Sequence, residues 1–304
     1  MLFRSLGIGL GNPNLRRFAN GEMHCRFGES IRGADVFVIQ THSGEPGWSV
    51  NDSLMEQLIM IDAAKRASAK RISAVIPYYG YSRQDRKSRG REPISARLVA
   101  DLLTVAGADR VLSVDLHADQ IQGFFDKPVD HLTALPLLEN HFKGKFEDDL
   151  VIVSPDAGRI KVAEKFAGRL HADLAILHKR RRTDVHNVSE TTREVIGNVR
   201  GRRCVLVDDM IDTAGTMCNG AEVLMEFGAE EVYATATHPV LSDPAIDRLK
   251  NSPIKELVVT NTLPLSPDKQ IDKITVLSIA PIVASTIRAV FEDESVSEIF
   301  QGEN

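Results

Sequence analysis

Between residues 204 and 227 an apolar run gives way to paired carboxylates, small hydroxyl residues and a helical pattern. The stretch reads Val205-Leu206-Val207-Asp208-Asp209-Met210-Ile211-Asp212-Thr213-Ala214-Gly215-Thr216. Residues 204–207 are short, apolar and rich in β-branched types, the signature of a buried strand. Asp208 and Asp209 are expected to end it. Asp212, Thr213 and Thr216 are of the types that cap helices. Ala214 and Gly215 are small enough for the backbone to pass close to a ligand. Ala221, Leu224 and Met225 then recur at helical spacing. A phosphate on such a loop meets backbone N–H groups and the positive end of a helix dipole. The two carboxylates upstream can accept hydrogen bonds from sugar hydroxyls. Neither the dinucleotide fingerprint nor the Gly-Lys-Ser/Thr of a P-loop is present. By itself the stretch also fits a plain βα turn with an acidic strand end.

Other groups could meet anions or a metal. Residues 78–91 form a polar stretch with Arg83, Gln84, Arg86, Lys87, Arg89 and Arg91. It reads as a phosphate-facing loop, a solvated basic surface or a nucleic-acid patch. Lys179-Arg180-Arg181-Arg182 follows an apolar run, so it is either a surface charge run or a cationic segment directed at a site. Asp115-Leu116-His117 and Ser154-Pro155-Asp156 each close a predicted strand. Each reads as a structural strand end or as a place for polar ligands.

The elements that must hold these groups alternate between strand and helix. Strands are expected at 23–27, 35–41, 72–77, 111–115, 150–153, 174–177, 204–207, 232–237, 257–260 and 274–277. Helices are expected at 54–67, 94–106, 160–170, 217–227 and 282–291. Residues 1–17 carry little pattern, and 18–22 read as a turn. The alternation implies α/β architecture with mostly parallel sheets flanked by helices. An internal echo supports duplication. Ala100-Asp101-x-Leu103, Gly107-Ala108-x-x-Val111 and His117 recur as Ala221-Glu222-x-Leu224, Gly228-Ala229-x-x-Val232 and His238 at a constant offset of 121 residues. On that offset the loop at 212–216 corresponds to 78–91. Similar βα units can also match by chance.

With 304 residues, 43% hydrophobic and 26% charged, the chain suits two globular domains. We place them at 1–136 and 137–279, with a tail, 280–304, returning towards the first. A net charge of −5 argues against a dedicated nucleic-acid binder. Cys25, Cys204 and Cys218 are too scattered for a disulfide framework or a zinc site, which suits a cytoplasmic protein. No apolar run has the length of a membrane span, and the first residues do not form a secretory signal.

Taken in order, the motifs resemble those of ribose-phosphate diphosphokinases, the phosphoribosyl pyrophosphate synthetases. The resemblance rests on Phe18-x-Asn20-Gly21-Glu22, Ser30-Ile31-Arg32-Gly33, Tyr81-x-Arg83-Gln84-Asp85-Arg86 and Asp115-Leu116-His117. It continues through Gln120-Ile121-Gln122-Gly123-Phe124-Phe125, Ser154-Pro155-Asp156-x-Gly158, Lys179-Arg180-Arg181, the loop at 208–216 and Ser295-Val296-Ser297. Type I phosphoribosyltransferases share only the loop at 208–216.

The resemblance implies two tandem type I phosphoribosyltransferase-like domains. It also implies transfer of the diphosphoryl group of Mg-ATP to the C1 hydroxyl of ribose 5-phosphate, giving phosphoribosyl pyrophosphate and AMP. Asn20, Gly21, Glu22, Arg83 and Gln84 match ATP-binding positions, Asn20 standing where Asp is commoner. His117 and Asp156 match Mg²⁺-associated positions, and Lys179 and Arg181 the catalytic loop. Arg181, Asp208, Asp212, Thr213, Ala214, Gly215 and Thr216 match the ribose 5-phosphate site, Ala214 where many members have Gly. Ser30, Arg32, Ser295 and Ser297 match the region where phosphate and ADP regulate between subunits, which implies a homo-oligomer, a hexamer. Nothing in the resemblance calls for nucleic acid or a membrane. The alternatives are a catalytically silent regulatory subunit of the same fold and a phosphoribosyltransferase. Two departures are expected to matter. A strand and helix ahead of Leu6 are missing, about 20 residues by usual element lengths, as a misplaced start codon would produce. Residues 44–50, with the only Trp, Trp48, look like a short surface insertion.

Overall fold

The computed structural model describes residues 2–45, 47–146, 149–181 and 191–297, and only the backbone at 2–3, 179–181 and 191–193. Contacts divide the chain into two compact units, Met1–Thr133 with Ile279–Asn304, and Ala134–Ser278.

The first unit begins with α1 (Leu2–Leu6), β1 (Pro13–Arg17) and β2 (Met23–Phe27). Then come β3 (Asp35–Ile39), α2 (Val50–Arg66), β4 (Arg71–Ile76), α3 (Ser95–Ala106), β5 (Arg110–Val114) and β6 (Val129–Leu132). Strands β3-β4-β5-β6 form one parallel sheet in that order. Strand β4 is buried along nearly its whole length, as a central parallel strand covered on both faces should be. Helix α2 starts on a capping box: Ser49 Oγ accepts the Asp52 N–H at 3.1 Å, and Asp52 Oδ2 accepts the Ser49 N–H at 2.7 Å. Its Ile61 and Ala64 are fully buried with Ala74, Ile76, Ala100 and Leu103. Strands β1 and β2 pair separately as an antiparallel hairpin.

The second unit runs α4 (Leu135–Phe142), β7 (Leu150–Ser154), α5 (Ile160–Leu170), β8 (Asp173–Arg181), β9 (Thr191–Ile196) and β10 (Arg203–Ile211). It continues through α6 (Gly215–Glu226), β11 (Glu231–Pro239), α7 (Ala245–Asn251), β12 (Ile254–Thr260) and β13 (Ile274–Leu277). The sheet order is β13-β12-β11-β10-β7-β8-β9, with only β8 and β9 antiparallel. Helix α8 (Ala280–Phe291) then returns to the first unit, where it packs on α1.

The duplication has a different register from the one the 121-residue echo implied. The shared run is β3-α2-β4-α3-β5-β6 against β10-α6-β11-α7-β12-β13. In both, a 3₁₀ turn precedes the last strand, at Asp119–Phe124 and Pro267–Lys269. Helix α6 therefore corresponds to α2, whereas the echo paired it with α3. The echo arose because βα units reuse one local solution, in which an apolar helix stops near a Gly and feeds a buried strand. The loop at 212–216 corresponds to 40–49, and 78–91 to 240–244. Strand β7 lies between β10 and β8, and it has no counterpart among the described residues of the first unit. There β3 ends the sheet.

Several elements carried too little periodicity to predict. Strands β1, β6 and β9 and helices α1, α4 and α7 have eight residues or fewer, too short for a face to repeat clearly. Strand β10 runs through Asp208 and Asp209 to Ile211 and does not stop at the carboxylates. Its parallel pairing with β11 continues to Ile211↔Pro239 and carries the polar residues with it.

Candidate active site

In the second unit the buried stem of β10, from Cys204 to Val207, delivers Asp208 and Asp209 to the end of the sheet. Arg159, just ahead of α5, spans both. Its Nε lies 3.0 Å from Asp208 Oδ1 and its Nη2 2.7 Å from Asp209 Oδ1. Asp208 Oδ1 also accepts the Asp209 N–H at 2.9 Å. Burial pushes the Asp208 carboxyl well above the usual carboxylate range. The hydrogen bond and charge of Asp209 add to the rise, and the Arg159 charge opposes it.

The loop after β10 differs from its expected capping. The N-cap of α6 is Ala214, with φ +58° and no side-chain cap bond, so neither Asp212, Thr213 nor Thr216 fills that role. A left-handed Ala is strained relative to Gly by roughly 1 kcal/mol. The loop is tied elsewhere: Arg248 Nη1 on α7 donates to the Thr213 carbonyl at 2.8 Å. A Cβ on Gly215 would stand 3.3 Å from that nitrogen, so glycine leaves room for the guanidinium. Thr213 and Thr216 are exposed, Asp212 and Gly215 half-buried. The first turn of α6 presents N–H groups that no intrahelical carbonyl takes, which suits a phosphate.

Lys179 and Arg181 lie on β8, opposite Arg193 and Thr191 of β9. Their side chains lie outside the described residues. Asp156 is exposed, and its Oδ1 accepts the Gly158 N–H at 2.8 Å.

In the first unit, Asn20, Gly21 and Glu22 form the turn of the β1–β2 hairpin. Asn20 Oδ1 accepts the Glu22 N–H at 3.2 Å, and Gly21 takes φ +94°. The segment around Trp48 is structurally engaged. The Arg17 guanidinium lies 5.5 Å from the Trp48 ring, donates to the Gly47 carbonyl at 3.0 Å and pairs with Asp52 at 3.2 Å. The loop holding Arg83 and Gln84 is pinned at several points. Gln84 Oε1 accepts from Ser95 Oγ at 2.6 Å, and the Gln84 carbonyl accepts the Ala96 N–H at 3.2 Å. Gln120 Nε2 donates to Asp85 at 2.8 Å. His42, fully buried, anchors the start of that loop, its Nδ1 accepting the Gly80 N–H at 3.0 Å and its Nε2–H facing Gln57 Oε1 at 2.8 Å. His117 follows β5 and is half-buried. Its approach is fixed by His131, whose Nε2 accepts the Leu116 N–H at 2.9 Å.

Ser30, Arg32, Ser295 and Ser297 are exposed. Ser295 lines a cavity of about 500 Å³ with Ser5, Ser285, Arg288 and Glu294, and neither Ser30 nor Arg32 lines it.

Comparisons with known proteins show the family and the fold. Residues 1–107 fit the profile described as the N-terminal domain of ribose phosphate pyrophosphokinase, and residues 189–301 the phosphoribosyl synthetase-associated domain. The ribose-phosphate pyrophosphokinase of Streptomyces coelicolor is 59% identical over 298 residues, 98% of this chain and 90% of that protein. That of Clostridium acetobutylicum is 56% identical, over 98% and 92%. The chain belongs to the ribose-phosphate pyrophosphokinase family. A crystal structure of phosphoribosylpyrophosphate synthetase from Mycobacterium smegmatis, 54% identical, covers 96% of the chain with a TM-score of 0.89. The fold of the family is therefore the fold of this chain, two α/β units of mostly parallel sheet. No helix among the described residues is long and apolar enough to cross a membrane.

Arg159, His42, His131 and Arg248 were not singled out in the sequence. Arg159 had one usable signal, its place directly after Ser154-Pro155-Asp156-x-Gly158. The other three touch backbone groups remote in sequence, which no local pattern encodes.

Proposed function

We infer that the chain acts as a ribose-phosphate pyrophosphokinase, transferring the β,γ-diphosphoryl group of ATP to ribose 5-phosphate. The C1 hydroxyl oxygen attacks the β-phosphorus, the bond from that phosphorus to the α,β-bridging oxygen breaks, AMP leaves, and the hydroxyl proton passes to solvent. The observation that carries this is identity of 54–59% to such enzymes over nearly the whole chain, with the acidic strand end and the small-residue helix start intact.

On this reading Asp208 accepts sugar hydroxyls. The loop of Asp212, Thr213, Ala214, Gly215 and Thr216 cradles the 5-phosphate on the first N–H groups of α6. Arg181 adds positive charge to the sugar phosphate. Lys179 and Arg181 neutralise charge that develops on the moving group. Asn20, Gly21, Glu22, Arg83 and Gln84 hold ATP, with an amide to read the base edge and a guanidinium for phosphate or stacking.

Mg²⁺ fits the residues proposed for it. Asp156 keeps one carboxylate oxygen beyond the one bonded to Gly158. Carboxylate, phosphate and water oxygens are the donors this ion takes, so His117 would reach it through water. When bound, the ion offsets the negative charge of the phosphates. Phosphate and ADP are proposed as effectors at Ser30, Arg32, Ser295 and Ser297, and a homo-hexamer as the assembly. Cytoplasmic residence is in keeping with the scattered, unpaired cysteines.

The test is AMP release from ATP by folded protein. Release should require both ribose 5-phosphate and Mg²⁺. No turnover would instead support a silent subunit.

A further inference from the structure

Arg159 is two-pronged towards the acidic pair, and nothing above gives it a task. Its side chain is only 14% exposed, and it faces two carboxylates exposed by 16% and 7%. Two adjacent buried carboxylates repel one another and favour taking up a proton. A protonated carboxyl donates a hydrogen bond where a sugar hydroxyl needs an acceptor. A fixed guanidinium opposes this by favouring the ionised form. Its planar fork also sets where each oxygen points, which a lysine cannot do. The arrangement comes from separate parts of the fold, since Arg159 precedes α5 while the carboxylates lie within β10. The parallel pairing of β7 with β10, at Cys204↔Val151 and Leu206↔Val153, brings the two strand ends side by side.

We propose that Arg159 is the positioning residue of the ribose site: its guanidinium orients Asp208 and Asp209 and supplies the positive charge that keeps them acceptors for the sugar hydroxyls of ribose 5-phosphate. This rests on the assignment of Asp208 to the sugar. Arg159 acts through the carboxylates and needs no contact with the substrate. Lost charge and lost orientation are separable: Arg159→Lys restores the first, and Arg159→Gln restores neither.

The experiment is ribose 5-phosphate binding by calorimetry, with KM for both substrates, in the wild type, Arg159→Gln, Arg159→Lys, Asp208→Asn and the Arg159→Gln/Asp208→Asn double variant. Arg159→Gln should weaken ribose 5-phosphate by about tenfold or more and leave KM for ATP within about twofold. Arg159→Lys should fall between it and the wild type. The double variant should bind no more weakly than about threefold below Asp208→Asn alone, since one interaction cannot be lost twice. Wild-type affinity in Arg159→Gln beside a weakened Asp208→Asn overturns the role of Arg159 and leaves the sugar assignment standing. Wild-type affinity in Asp208→Asn removes that assignment and this proposal with it. If Arg159→Gln does not fold, Arg159→Lys decides, because wild-type affinity there would mean that orientation by the fork is not needed.

Discussion

At the scale of single residues, catalysis here asks for cations near a moving diphosphoryl group. Lys179 is proposed for that role. Lys179→Ala should lower kcat by about 10²- to 10³-fold, the usual loss for one electrostatic stabiliser. KM for ribose 5-phosphate should stay within about twofold. A loss expressed in KM alone would make Lys179 a ground-state binder. His42 works differently, as a neutral acceptor for a backbone N–H. Burial pushes its pKa down to about 4 from 6.5, with the Gln57 hydrogen bond opposing. Between those values the unfolded chain binds a proton that the folded chain refuses. Stability from this group is thus complete above about pH 6.5 and falls as pH drops towards 4, by roughly 3 kcal/mol in all. Urea unfolding at several pH values should show this fall in the wild type and a smaller one in His42→Gln. Parallel curves would show that His42 is not the titrating group.

At the scale of elements, the β8–β9 hairpin matters because β8 carries Lys179 and Arg181, the cations proposed for the transfer. Its base, away from the connection between the strands, is tightly packed. Gly197, directly after β9, takes φ +116°, and a Cβ there would stand 2.9 Å from both Ala175 Cβ and the Leu174 carbonyl. Both neighbours belong to β8, one of them backbone, so neither can move without shifting the strand. Gly197→Ala should cost about 2 kcal/mol or more through combined strain and overlap. Denaturant titration would measure it, and unchanged stability would mean the hairpin end can yield. The same logic of short reach governs the hairpin β1–β2. Arg17, in contact with Gly47, Trp48 and Asp52, ties it to the start of α2, so Trp48 helps brace the hairpin where a short surface insertion was expected.

At the scale of the whole molecule, a chain of net charge −5 has to bind two anions. Long-range attraction is not available from the total, so the proposed ATP site must rely on local cations, of which residues 83–91 hold several. Fields of this kind are screened within about 8 Å at physiological salt. Raising KCl from about 0.05 to about 0.5 M should therefore raise KM for ATP roughly two- to fivefold. A KM unmoved by salt would mean that buried pairs and hydrogen bonds carry the affinity. The chain also closes on itself within the first unit. Arg71 pairs with Asp35 at 2.5 Å and with Asp293, 222 residues further on. Loop-closure entropy grows only slowly with length, so such a return is inexpensive.

The sequence alone determined the alternation of elements, the class of fold and the family chemistry. Buried parallel strands must be apolar runs, helices beside them must be amphipathic, and a phosphate loop must be small and polar; each is a local demand. The succession of strand, loop and helix across 204–227 was legible for that reason. Only the tertiary structure decided that β10 continues through its carboxylates, that Ala214 begins α6 in a left-handed conformation, and that α6 corresponds to α2. It alone brought Arg159 to Asp208 and Asp209, and His42 to Gly80. These depend on which strand lies beside which and in what register, a choice made by packing between segments far apart in the chain, where no local pattern records the partner.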